Sequence, residues 1–162
     1  MEITVTIDKL KETLSKLEAF KRLEVLVGIP GNKSVRKKVE NEKEPTNAEI
    51  GFINEFGSAL NHIPPRPFLI PGIKKVKPEL SDIFKKTAKN ILGGISPIRS
   101  GLEEGGQKAV SSAKNIIRTQ ENFKPLSEKT IRLREQKGFK GKNALIRTGQ
   151  LLNSLTYVVR EK

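Results

Sequence analysis

Two side chains in the stretch from 50 to 70 are the best candidates for acid–base chemistry. His62 is the single histidine of the chain, and Glu55 precedes it by seven residues. An imidazole and a carboxylate that meet across a turn could exchange a proton with a substrate. A lone histidine beside prolines is more often exposed or locally hydrogen-bonded, however. We therefore assign neither residue a catalytic role.

The sequence has none of the patterns that usually mark an enzyme. It contains no glycine-rich phosphate loop, no nucleophile elbow and no HExxH motif. Because cysteine is absent, a thiolate metal site is excluded. The presence of a single histidine disfavours most other kinds of metal site. A nuclease would require convergent carboxylates, for which Glu49, Glu55, Glu79 and Asp82 are the candidates. We predict that the chain is not an enzyme and uses no metal or cofactor.

The run from Ile63 to Phe68 (IPPRPF) is the most rigid segment of the chain. Each proline fixes φ at about −65° and lacks a backbone N–H, so the run is predicted to be extended. Its PxxP pattern is typical of ligands for aromatic grooves, but a structural corner explains it better. Arg66 in this frame could pair with a carboxylate through two hydrogen bonds or lie exposed, and both alternatives remain open.

The charge balance is strongly basic. The 162 residues include 31 Lys and Arg but only 18 Asp and Glu, which gives a formal net charge of +13. Such a field attracts nucleic acid, anionic membrane or acidic protein surfaces, although a solvated basic face is an equally good interpretation. No run approaches the roughly 18 apolar residues of a membrane span, and residues 1–14 lack the basic stretch and apolar block of a signal peptide. We predict no association with membranes.

The apolar pattern predicts an α+β fold in a single domain over residues 1–162. Alternating or continuous apolar residues near 2–7, 23–29 and 155–160 predict three strands of a small antiparallel sheet. The almost wholly charged or polar segment at 32–45 is predicted to be a long exposed loop.

Several amphipathic helices are predicted to pack on this sheet. Thr46 and Glu49 form a capping box that starts one helix, and Gly57 is its expected left-handed end. The longest helix is predicted near 73–92, with Pro78 either kinking it or marking its first turn.

A further helix over 97–119 completes a helical excursion at about 72–120. Gly105-Gly106 interrupts its apolar stripe, and each glycine lowers helix stability by about 1 kcal/mol relative to alanine. We therefore expect a soft middle, that is, a weakly helical segment around these glycines. Ser127 is predicted to cap a short basic helix that ends at Gly138.

Four motifs then occur in a distinctive order. They are NEFG at 54–57, IPPRPFL at 63–69, PLSEKTIRLREQKG at 125–138 and LIRTGQLLNSLTY at 145–157. With the long helix between the second and third, this order resembles the tailed-phage virion morphogenesis proteins. That family of tail-completion or neck proteins includes the G protein of phage Mu and the minor tail protein Z of lambda-type phages. The resemblance covers most of the chain from Thr46 onward.

The resemblance implies a structural protein of the virion that is made in the host cytoplasm. Such a subunit forms a ring at the head–tail junction, between head-completion (connector) proteins and the tail terminator, and enables the tail to join a DNA-filled head. We expect a homo-oligomer of six copies, with twelve as the alternative. The competing hypothesis is a stand-alone basic nucleic-acid-binding accessory protein, which the net charge favours.

Two sets of residues follow as candidate sites of such a ring. The rigid frame predicts an assembly interface made of Phe56, Pro65, Arg66, Pro67 and Phe68. Lys140 and Lys142 are the candidates for contacts with double-stranded DNA in the channel, without sequence specificity.

Overall fold

The computed structural model describes residues 2–35, 45–95 and 97–162. These residues form eight helices and one two-stranded antiparallel sheet, which confirms the predicted α+β class. In chain order the elements are α1 Glu2–Arg22, β1 Leu23–Gly28, α2 Gly31–Ser34, α3 Asn47–Phe56, α4 Leu69–Lys75, α5 Lys77–Leu92, α6 Ile98–Thr119, α7 Glu128–Gln136, α8 Gln150–Ser154 and β2 Thr156–Glu161.

The sheet joins two segments from opposite ends of the chain. Leu23 of β1 lies opposite Glu161 of β2, and Gly28 lies opposite Thr156. The strands predicted at 23–29 and 155–160 are thus confirmed. A two-stranded sheet is marginally stable alone, and here α6 packs against both strands, with Val159 buried.

The strand predicted at 2–7 is wrong, because these residues belong to helix α1. Three alternating apolar residues suggested a strand, yet the positions of Ile3 and Ile7 also continue the spacing of Leu10 and Leu14. Separations of three and four residues place side chains on one face of a helix. The sheet therefore has two strands in the described part of the chain, and α1 leads directly into β1.

Helix α6 is the central helix of the fold, and the predicted soft middle is wrong. It runs without interruption through Gly105 and Gly106, both of which are buried. A Cβ at Gly105 would lie 2.7 Å from the Phe84 ring, and one at Gly106 would lie 2.5 Å from the Tyr157 ring. The glycines allow α5 and β2 to approach α6 closely. The predicted helical excursion at 72–120 contains the helix on which the sheet, α4 and α5 pack.

The long helix predicted at 73–92 is divided into α4 and α5 at Val76, whose φ of −101° and ψ of 8° interrupt the helix. Pro78 lies in the first turn of α5, as one of the two predicted alternatives had it. A proline is tolerated there because the N–H that it lacks would have no partner within the helix. The break lets α4 turn toward α6.

The predicted loop at 32–45 is only partly described. Its first residues lie in the short helix α2, and residues 36–44 fall outside the described ranges. The core cluster consists of Phe68, Ile116, Ile117 and Leu155. The single-domain organisation stays a prediction.

Candidate assembly surface

Helix α3 begins and ends as its sequence predicts. Thr46 Oγ1 accepts a hydrogen bond from the Glu49 N–H at 3.2 Å, and the Thr46 N–H donates to Glu49 Oε2 at 2.7 Å. This backbone hydrogen bond, reinforced by the threonine hydroxyl, lowers the pKa of the exposed Glu49 carboxyl. Gly57 ends the helix with a φ of 80°, a conformation that glycine adopts readily.

Glu55 ties the end of α3 to the start of α4. Its side chain is buried, and Oε2 accepts hydrogen bonds from the N–H groups of Phe68 at 2.8 Å and Leu69 at 2.9 Å. Oε1 accepts from the Ile70 N–H at 2.9 Å. These amides would otherwise lack partners, because the first turn of a helix has none of its own. Glu55 is therefore a structural residue, a role that its neighbours in the sequence do not predict.

Arg66 is buried, and neither predicted alternative, carboxylate pairing or exposure, describes it. Its Nε donates to the Lys124 carbonyl oxygen at 2.9 Å, and its Nη2 donates to that of Pro125 at 3.4 Å. Its backbone N–H donates to the Asn54 carbonyl oxygen at 2.6 Å. Burial lowers the pKa of the guanidinium. Arg66 thus fastens the proline frame to the segment before α7.

The predicted assembly interface stays a prediction, and two of its five members are buried within the chain. Phe68 is 2% exposed and belongs to the core cluster, and Arg66 is 8% exposed. Both side chains are largely covered by the same chain, so neither lies on its outer surface. Pro67 is half-buried, whereas Phe56 and Pro65 are exposed. The accessible part of the predicted interface is therefore centred on Phe56.

Phe56 belongs to an exposed aromatic surface that we call the phenylalanine groove, lined at its rim by Phe52, Phe56 and Ile70. Phe52 is 66% exposed and Phe56 is 59% exposed, and their ring centroids lie 4.9 Å apart. The groove has a volume of about 240 Å³, and Phe68 and Leu155 also line it. The sequence signal for Phe52 was its spacing, since residues four apart share a helix face.

A second exposed apolar surface lies on helix α1. Leu10 is 58% exposed and Leu14 is 51% exposed, one helical turn apart. We call this pair the leucine stripe. Exposed leucines one turn apart are the pattern by which an amphipathic helix contacts a groove on a partner.

The four candidate carboxylates do not converge in the described part of the chain. Glu49 and Glu55 are engaged at helix starts, Glu79 forms an ion pair with Lys108, and Asp82 lies on the exposed side of α5. Across the described ranges, no three His, Cys, Asp or Glu side chains gather as a metal site would require.

The remaining candidates lie in exposed turns. His62 is exposed, with a φ of 52°, in the turn bounded by the bridge between Ser58 and Ile63. Lys140 and Lys142 are exposed in the loop between α7 and α8. Contact between these lysines and DNA stays a prediction.

No family model, no curated protein and no solved structure matches this chain. Among the described helices, none is long and apolar enough to cross a membrane. The resemblance to phage tail-completion proteins stays a prediction that rests on the four motifs and their order.

Proposed function

We propose that this chain is a structural subunit of a tailed-phage virion, a tail-completion or neck protein that forms a ring at the head–tail junction. The phenylalanine groove is the observation that carries the proposal. Two phenylalanines that are each more than half exposed and lie against one another form the aromatic anchor typical of protein interfaces. Covering both rings would contribute about 2–4 kcal/mol before the cost of association.

The partner for this groove is the leucine stripe of a second copy. The groove and the stripe are different surfaces of one chain, so each subunit can offer both. A contact between unlike surfaces is heterologous, and it closes into a ring when the rotation between subunits divides a full turn. Leu10 and Leu14 have the spacing of helix-in-groove recognition. Six copies are the preferred number, with twelve as the alternative.

The charge of the chain suits a ring around a DNA channel. A net charge of +13 favours DNA without selecting a sequence. Lys140 and Lys142, exposed in the loop before α8, are the proposed channel contacts. The other partners in this role are the head-completion proteins and the tail terminator, and the role requires no catalytic residue.

The test is a double substitution, Phe52→Ser with Phe56→Ser. Both side chains are exposed, so the variant should fold, with a thermal midpoint within roughly 4 °C of the parent. It should no longer yield joined particles when it complements a phage that lacks its own copy. Leu92→Ser removes another half-exposed apolar side chain and should leave joining intact. Normal joining by the double variant would contradict the proposal.

The second candidate is a nucleic-acid-binding accessory protein that acts alone, and the isoelectric point of about 10.0 favours it. In that case the isolated chain should bind duplex DNA, with an affinity that falls steeply as salt rises. Replacing Lys140 and Lys142 by glutamine would reduce the slope of that dependence. A ring with negligible duplex affinity would instead favour the junction protein.

A further inference from the structure

A second cavity lies beside α3 and is lined by basic side chains. Its volume is about 570 Å³, and residues from α3, α7 and the segment before α8 line it. Four cationic side chains from the described ranges surround it, and we call it the arginine cavity. They are Arg66, Arg134, Lys137 and Arg147. Within residues 2–35, 45–95 and 97–162, no Asp or Glu lines the cavity and no ion pair involves these four cations.

The arginines are held in place by neutral groups. Arg134 Nη1 donates to the carbonyl oxygens of Asn143 at 2.8 Å and Gly141 at 3.3 Å, as Arg66 does to those of Lys124 and Pro125. The Arg147 guanidinium lies 5.3 Å from the centroid of the Phe139 ring. Carbonyls and a ring orient these cations without neutralising them. Fixed guanidinium groups with free N–H donors are well suited to a carboxylate.

The crowding of positive charge is visible in Arg134. Burial lowers the pKa of its guanidinium, and the nearby charges of Arg147 and Arg66 lower it further. Arginine remains protonated under such shifts, so the three cations repel one another across the cavity. An anion bound between them would relieve that repulsion.

The polar side chains of Asn54, Thr130, Thr148 and Gln150 also line the cavity, and the rest of the lining is largely aliphatic. It includes Ile50, Leu126, Leu133, Leu145 and Leu151. A bare inorganic anion would leave this surface without a contact. None of the described lining residues is aromatic, so they offer a nucleotide base no stacking partner. The volume lies within the usual range for small-ligand sites, about 300–1,000 Å³.

We propose that the arginine cavity binds a carboxylate carried on an aliphatic body. The carboxylate lies among the guanidinium groups, and the aliphatic part covers the leucines. Two sources share this chemistry: an acidic side chain next to apolar residues in a peptide of a protein partner, and a free organic acid. The site is distinct from the proposed ring contact, because Ile50 and Asn54 of α3 line this cavity while Phe52 and Phe56 line the groove.

The test uses the full chain and calorimetric titration at fixed ionic strength, with three probes. They are the capped peptide acetyl-Leu-Glu-Leu-Glu-amide, adipate and inorganic phosphate. The site variant combines Lys137→Gln with Arg147→Gln, because neither side chain donates a hydrogen bond to the main chain among the described contacts. The control combines Lys129→Gln with Arg132→Gln, which removes the same charge from exposed positions on α7.

We expect the parent chain to bind the peptide or adipate. The site variant should bind about tenfold more weakly, as the loss of one charge-assisted pair predicts, and the control should stay within about twofold. Leu133→Asn, at a position 49% exposed, should weaken binding of the carboxylate probe but not that of phosphate. Preference for the peptide over adipate assigns the ligand to a protein partner, and equal binding assigns it to a free acid.

Three results would overturn the proposal. The first is equal weakening by the site variant and the control, which would show attraction to net charge alone. The second is binding of phosphate as tight as that of the carboxylates together with no effect of Leu133→Asn. The third is the absence of binding by any probe.

Discussion

Replacing Glu55 by glutamine should loosen the junction between α3 and α4. The carboxylate accepts three backbone hydrogen bonds, two at Oε2 and one at Oε1. Glutamine has nearly the same shape but a single acceptor oxygen, so one N–H would face an amide NH₂ group. The two remaining bonds would become neutral, and a hydrogen bond to a charged group contributes about 1.5–3 kcal/mol against about 0.5–1.5 kcal/mol for a neutral one. We expect a loss of about 2–4 kcal/mol.

Urea unfolding followed by far-UV circular dichroism measures this loss. With a denaturant slope of about 2 kcal/mol/M, the midpoint should fall by about 1–2 M. The matched control is Glu103→Gln, because Glu103 is an exposed helical carboxylate whose ion pair with Arg99 spans 3.6 Å. Surface pairs of this kind contribute little, so the control should move the midpoint by less than about 0.5 M.

An equal shift for Glu55→Gln and Glu103→Gln would refute the reasoning. It would mean that the three amides find other partners, or water, once the carboxylate is gone. A large shift in the denaturant slope without a change in the midpoint would also count against it, because that result reports a change in the unfolded chain rather than a lost contact.

Two further predictions test other parts of the fold. Gly72→Ala should destabilise by about 2–3 kcal/mol, seen as a thermal midpoint lower by about 4–12 °C, because the added Cβ would lie 2.6 Å from the Ala113 Cα atom. Gly31→Ala, with no atom within 4 Å of its Cβ, is the control and should be neutral. Glu49→Gln should flatten the acid limb of the stability curve. The pKa of Glu49 is lowered from 4.5 in the folded chain, so its stabilisation is complete above that value and is lost as pH falls through the lowered one. The measurement is the unfolding midpoint of the parent chain and of Glu49→Gln between pH about 3 and about 6. If the capping contact contributed nothing, both midpoints would fall equally as the pH is lowered.

Features set by neighbouring residues could be predicted from the sequence. Thr46 and Glu49 lie three residues apart, and their mutual hydrogen bonds start α3 as the capping box requires. Pro78 is predicted either to kink the helix or to lie in its first turn, and it lies in the first turn of α5, where the missing N–H costs no helical hydrogen bond. Both signals depend on contacts within one turn of a helix.

Features set by packing could not be predicted in the same way. Gly105 and Gly106 looked weak because helix propensity describes an isolated helix, whereas here the missing side chains make room for Phe84 and Tyr157. Ile3 and Ile7 fit both a strand and a helix, and a pattern of six residues is too short to separate the two periods. The glycines are explained by contacts with residues distant in sequence, and the helical spacing of Ile3 and Ile7 becomes clear only when Leu10 and Leu14 are included.

The rigid frame at 63–68 shows why the candidate site was only partly predictable. Proline makes its shape predictable, but nothing local states which side of an extended segment faces the core. Arg66 and Phe68 face inward, and Glu55 holds the frame from the same side. Phe52 and Phe56 of α3 are consequently left on the outside, next to Ile70. Arg66 and Phe68 therefore contribute indirectly. They fix the position of the exposed surface around Phe56 that we propose to be the interface.

Helix α3 also connects the two proposals physically. Its Ile50 and Asn54 line the arginine cavity, and its Phe52 and Phe56 line the phenylalanine groove. Arg66 lines the cavity and donates its backbone N–H to Asn54 at 2.6 Å. A carboxylate bound at Arg66 would thus lie against the same helix that presents the aromatic rings. Since packed helices move as rigid elements rather than deform, any shift of α3 caused by that ligand would be transmitted to the groove.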